Sequence, residues 1–153
     1  MKHRLNRKWL FKYLTISEIQ IIMRDSELIK LRPLIATETG QAGDLESFQN
    51  QTLRPILKLQ NDLLVRVFDH HLRKRKTRAG GAAPLPDNFI QGIVQKDAAL
   101  RHLLIGLVAG HFTLAEWAFF ARHEAELSRR TANLIVQRLQ SQSLPQPPPE
   151  GGA

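Results

Sequence analysis

Five polar residues fall where their helices should be apolar or close beside such positions. In FQNQTLRPILKLQNDLLVRVFDHHL (residues 48–72), Leu53, Ile56, Leu57, Leu63, Leu64, Val67 and Phe68 share one arc at roughly 100° per residue. Gln60 and His71 fall within that arc, and Asn61 stands beside Gln60. A buried amide or imidazole finds a hydrogen-bond partner or costs about 1–3 kcal/mol. In the next helical run, Phe89, Ile93, Leu100, Leu104 and Leu107 define an arc that includes Asp97. Arg101 follows at the i,i+4 spacing that lets opposite charges pair. Two readings follow from helical phase: a pocket between helices that holds a polar ligand or substrate, or a polar layer that fixes helix register inside an apolar core.

The familiar catalytic patterns are missing. With no cysteine, the chain has no thiol nucleophile, disulfide framework or iron–sulfur ligand set. His70 and His71 are adjacent, so their rings point about 100° apart on a helix. No HxxxH, HxH or ExxH spacing that could hold zinc or a di-iron centre occurs. No GxSxG, GxxxxGK[ST] or GxGxxG string is present. The expectation is therefore a protein with no metal and no cofactor, leaning away from enzyme chemistry.

Charge suggests a second set of partners. The net charge of +8 is uneven. Residues 1–14 hold five Lys/Arg and no acid, residues 15–50 are net acidic, and residues 51–86 hold eight Lys/Arg against two Asp. Arg73, Lys74, Arg75, Lys76 and Arg78 form the densest cluster. They could contact phosphates, with steep salt dependence, or simply close a helix favourably at the negative end of its dipole. No aromatic interleaves with them, so stacking on single-stranded bases is not indicated.

These residues need elements to position them, and the pattern throughout is helical. Residues 3–14 can form a short basic helix. Thr15 and Glu18 make a capping box opening a run to about Lys30, which Pro33 ends. Asp44 caps a short turn through Asn50, and Thr52 caps the main helix with Pro55 in its first turn. Alternatively, residues 44–76 are one helix kinked at Pro55. Asp87 caps a third long helix reaching Ala109, with Gly110 beyond it, and Gly106 and Gly110 allow a close helix crossing. Thr113 and Glu116 form a second capping box for a last helix reaching about Gln142. Its main apolar face carries Leu114, Trp117, Ala118, Ala121, Ala125, Ala132, Ile135, Val136 and Leu139. A separate stripe, Phe120, Leu127 and Leu134, recurs every seven residues and predicts an interface with a partner or a second subunit. Strand signals are absent. The expected fold is all-α, a small helical bundle of about four to five helices.

Three strings, FQNQTLRPILKLQNDLL (48–64), VQKDAALRHLLIGLVAGHFT (94–113) and RRTANLIVQRLQSQ (129–142), together resemble a family of small uncharacterised all-helical bacterial proteins often labelled "glyoxalase". The sequence does not support that label. A glyoxalase I enzyme needs strands for its βαβββ metal fold, and a glyoxalase II enzyme needs a THxHxDH motif. The resemblance carries no established active site. It starts near Met23, which suggests that residues 1–22 are a basic leader that need not be native. Residues 23–142 would then be a single helical domain and 143–153 a Pro/Gly-rich disordered tail.

The sequence reading is thus a small, cytoplasmic, basic helical protein without a transmembrane segment. Its expected role is that of a protein-interaction or adaptor module, binding another protein or itself. A nucleic-acid-associated protein using the 73–78 cluster, and an enzyme with a polar pocket between helices, are the alternatives.

Overall fold

A computed structural model describes residues 15–35, 43–75 and 85–143. All regular structure among them is helical. The helices are α1 (Ile16–Lys30), α2 (Asp44–Phe48), a π-helical turn (Gln49–Leu53), α3 (Arg54–Leu59), α4 (Asn61–Lys74), α5 (Asp87–Lys96), α6 (Ala98–Ala109), α7 (Leu114–Arg122) and α8 (Glu124–Ser143). The segments outnumber the four to five expected, because three helices read as continuous or simply capped are interrupted.

Each interruption has a local cause. Helicity runs from Asp44 to Leu59, breaks at Gln60 (φ −91, ψ 6) and resumes over Asn61–Lys74, close to the kinked alternative. Ahead of Pro55 the backbone widens into the π turn, where the Arg54 N–H bonds the Gln49 carbonyl. Proline has no N–H to offer the preceding turn, and a π-bulge is one way to absorb that gap. Thr52 does not cap this helix. It is buried in the π turn, and its hydroxyl is committed elsewhere, as described below. Beyond Gln60, the next interruption is Asp97, which leaves the helical region at φ −95, ψ 93 and accepts the Leu100 N–H as the cap of α6. The last is His123, at φ −121, ψ 30, between α7 and α8.

α8 is the central rod. It packs against α4, α5, α6, α7 and the π turn. The core comprises Leu53, Ile56 and Leu57, then Leu64, Phe68 and Leu72 of α4. Ile90 and Val94 of α5, and Leu100, Leu104 and Val108 of α6, complete the near side. Phe112, Phe120, Leu127, Ile135 and Leu139 close it from α7–α8. Thr131, wholly buried on α8, satisfies its hydroxyl on the Leu127 carbonyl at 2.7 Å.

The expected α7–α8 face holds at Ile135, Val136 and Leu139, which are buried, but is reversed over α7 and the start of α8. Phe120 and Leu127 are 4% and 0% exposed, and Leu134 packs on the core. They are therefore no interface on this chain. Leu114 and Trp117, expected in the core, are 49% and 51% exposed. The His123 break is the reason: it rotates the α7 stripe relative to α8, so a phase computed along one straight rod assigns the wrong side.

α1 differs from the rest. Its Thr15–Glu18 capping box forms as expected, yet none of its residues is buried. Ile16, Ile22, Met23 and Ile29 are all exposed, as are Leu31 and Leu34 just beyond it. No helix among the described residues is long and apolar enough to cross a membrane.

Candidate functional site

The polar residues gather into two clusters. The first joins α4 to the α5–α6 break. His71 Nε2 lies 2.9 Å from Asp97 Oδ2, and Arg75 Nη2 lies 2.8 Å from the same oxygen. An imidazole and a guanidinium thus converge on one buried carboxylate oxygen. Asp97 Oδ1 is fully engaged with the Leu100 amide at 3.0 Å. That amide bond holds the Asp97 carboxyl below its usual range; burial opposes the shift, and Arg75 and His71 reinforce it.

The helical-phase network is therefore partly assembled. His71 and Asp97 meet, but Arg101 does not pair with Asp97. The Arg101 N–H still bonds the Asp97 carbonyl at 2.9 Å, but the Asp97 carboxylate is engaged with the Leu100 amide as the cap of α6. Arg101 Nη1 instead donates to the carbonyls of Gln95 (2.6 Å) and Val94 (3.4 Å), at the open C-terminal end of α5. Gln60 and Asn61 do not join this cluster either. Asn61 bonds Asp62 and, at 3.4 Å, Arg138. The Gln60 amide nitrogen lies 2.7 Å from His111 Nε2. His111 Nδ1 is 3.2 Å from the Leu107 carbonyl, so a tautomer with Nδ1–H donating there leaves Nε2 to accept from Gln60.

The second cluster was not foreseen. Arg32, just past α1, forks onto Glu116 of α7 with Nη1–Oε1 at 2.6 Å and Nη2–Oε2 at 2.7 Å. Arg32 also donates to the His111 carbonyl at 2.8 Å, and Thr52 donates to Glu116 Oε1 at 2.9 Å. Glu116 meanwhile accepts the Thr113 amide at 2.8 Å, completing the expected capping box. Burial pushes the Glu116 carboxyl up, but Arg32, the Thr113 amide and Thr52 outweigh it, and the group is held below its usual range. The sequence signal was there in part: a capping-box glutamate sits at the mouth of an apolar helix, and a lone arginine precedes Pro33.

Most polar atoms of the two clusters have an internal hydrogen-bond partner; Arg32 Nε, His71 Nε2 and Asp97 Oδ2 are buried without one. Among the described residues no three His, Asp or Glu side chains group to hold a metal. Of the basic cluster, Arg73 and Lys74 are exposed at the end of α4. Arg73 pairs with Asp69 at 2.8 Å, and Arg75 turns to Asp97. Lys76 and Arg78 lie outside the described residues, as do residues 1–14 and the tail from 144.

A concavity lies elsewhere, between α6 and α7–α8. It is an open groove of about 740 Å³. Gly106 and Ala109 face Ala125 and Ala132 across it, with Trp117 and Phe120 among its walls. Arg101 alone of the phase-predicted residues borders it.

No protein-family model, no curated protein and no solved structure matches this chain.

Proposed function

We propose that this chain is a helical protein-interaction module that presents α1 to a partner protein. The observation that carries this reading is the combination found in α1. Apolar side chains there face solvent, yet the second half of the helix and Arg32 just beyond it are fixed to the bundle by polar contacts. Arg24 donates to the Phe112 carbonyl at 3.1 Å, Asp25 accepts the Leu114 amide at 3.1 Å, and Arg32 forks onto Glu116. These contacts hold α1 in place without covering Ile22, Met23 or Ile29. An apolar patch of that extent is the mark of a contact surface on a soluble domain, and an apolar helical stripe suits a partner helix or groove.

Two further points support this reading over its alternatives. The nucleic-acid reading loses one of its charges, because Arg75 is spent on Asp97. The enzyme reading loses its pocket, because Gln60 and Asn61 do not meet His71 and Asp97.

Affinity capture from lysate, with and without nuclease, tests it. The bait would be the wild-type chain and the Ile22→Ser/Ile29→Ser variant. A nuclease-resistant protein partner held by the wild type and lost by the variant supports the module. Retention by both chains, or loss on nuclease treatment, counts against it. A wild-type mass of two chains that falls to one in the variant, by light scattering, would identify the partner as a second copy.

A further inference from the structure

We infer that the groove between α6 and α7–α8 binds a small amphipathic anion, with an aromatic body and one anionic head such as a carboxylate or sulfonate. This site is separate from the α1 surface and does not depend on it.

Size and shape come first. A volume of about 740 Å³ falls in the range of small-molecule pockets, roughly 300–1,000 Å³. Its depth comes from small side chains. Gly106 and Ala109 on α6 oppose Ala125 and Ala132 on α8. A Cβ placed on Gly106 would meet nothing within 4 Å, so the space above this glycine is open and no neighbour's packing demands it.

The walls then select for an aromatic body. Trp117 borders the groove and is half exposed, and its ring stacks on Phe120 at 5.8 Å with 19° between planes. The buried Phe120 thus supports a large aromatic surface that the core itself does not use. Offset stacking of a guest ring on such a surface contributes about 0.5–1.5 kcal/mol beyond area burial.

The polar rim selects for an anion. Arg101 and Arg129 both border the groove, with the Gln95 and Asn133 amides and the Ser128 hydroxyl; Glu124 is the one carboxylate there. Arg129 shares its charge with Glu126 on its own helix. Arg101 has only carbonyl partners among the described residues. Those carbonyls, at the negative end of α5, fix its guanidinium in place without a carboxylate partner among the bonds found for it. A planar, preorganised guanidinium beside an apolar slot is a matched receptor for a carboxylate or sulfonate.

Titration of the full chain with 8-anilinonaphthalene-1-sulfonate, and in parallel with the uncharged N-phenyl-1-naphthylamine, tests the proposal. Dye fluorescence, and quenching of tryptophan emission in a Trp9→Phe background that leaves Trp117 as the one tryptophan, are the readouts. One saturable site is expected. Gly106→Leu and Ala125→Leu, which fill the groove from opposite walls, should each weaken both dyes by about tenfold or more. Arg101→Gln should weaken the sulfonate about fivefold while leaving the uncharged dye within about twofold. Ile22→Ser/Ile29→Ser should change neither, which separates this site from α1. Near-UV circular dichroism checks that each variant keeps its packed core. Sulfonate binding that survives both filling variants overturns the proposal, as does an Arg101→Gln effect equal for the two dyes. Absence of saturable binding overturns it as well.

Discussion

Arg32 and Glu116 meet in a two-pronged ion pair across 84 positions of sequence, with only 9% and 19% of their side chains exposed. The same carboxylate caps α7 through the Thr113 amide and receives the Thr52 hydroxyl from the π turn. One acidic group therefore ties together the end of α1, the π turn and the start of α7. Removing one partner of a buried pair leaves an uncompensated charge, at about 3–5 kcal/mol. Partial exposure of Glu116 lowers that figure. Glu116→Gln is expected to cost about 2–3 kcal/mol in urea unfolding. Arg32→Gln should do at least as much and also speed amide exchange along α1. A double-mutant cycle giving no coupling would show that the pair does not act as a unit.

The acid limb of stability should follow from the same group and from Asp97. Both carboxyls are held below their ordinary values in the folded chain. The unfolded chain therefore binds protons first as pH falls. Their stabilisation is complete above the unfolded carboxyl value of about 4 and is lost as pH drops through the lower folded values. Unfolding free energy measured from pH 6 to pH 2.5 should fall most steeply below pH ~4. Glu116→Gln and Asp97→Asn should each flatten that slope. An unchanged slope in both would separate these groups from acid sensitivity.

The α7–α8 face gives a sharp contrast. Leu127→Ala removes a side chain with no exposure and should cost about 2–5 kcal/mol. Trp117→Ala, a larger truncation at a half-exposed site, should cost well under half of the leucine value. Equal losses at the two positions would restore the face read from sequence.

Gly92 lies within α5, where an added Cβ meets nothing within 4 Å. Alanine there avoids the conformational cost of a mid-helix glycine, so Gly92→Ala should stabilise by about 0.5–1 kcal/mol. Thermal unfolding checks this, and a lower Tm would mean that the space at Gly92 is needed.

Most of the helical character was legible in the residues. Both capping boxes form where Thr15–Glu18 and Thr113–Glu116 place them, because a cap is a three-residue event that needs nothing distant. The apolar phase of Leu64, Phe68, Leu100 and Leu104 put them in the core for the same local reason. Asp97 was also recognisable as a polar residue on a buried face, and His71 as its neighbour.

Tertiary structure decided what a straight-helix phase cannot carry. Asp97 caps a new helix instead of riding within one, so its carboxylate goes to the Leu100 amide while the Arg101 side chain goes to the Gln95 and Val94 carbonyls. The break at His123 turns Phe120 and Leu127 inward and Trp117 outward, since a few residues off the helical path rotate everything beyond them. The meetings of Gln60 with His111, Arg75 with Asp97 and Arg32 with Glu116 span 51, 22 and 84 positions. Such pairings depend on which helix lies beside which, and helical periodicity holds no information about neighbours in space. By itself the sequence determined the elements and most of their buried faces; the packing of α8 against its neighbours decided which polar groups meet and where a groove stays open.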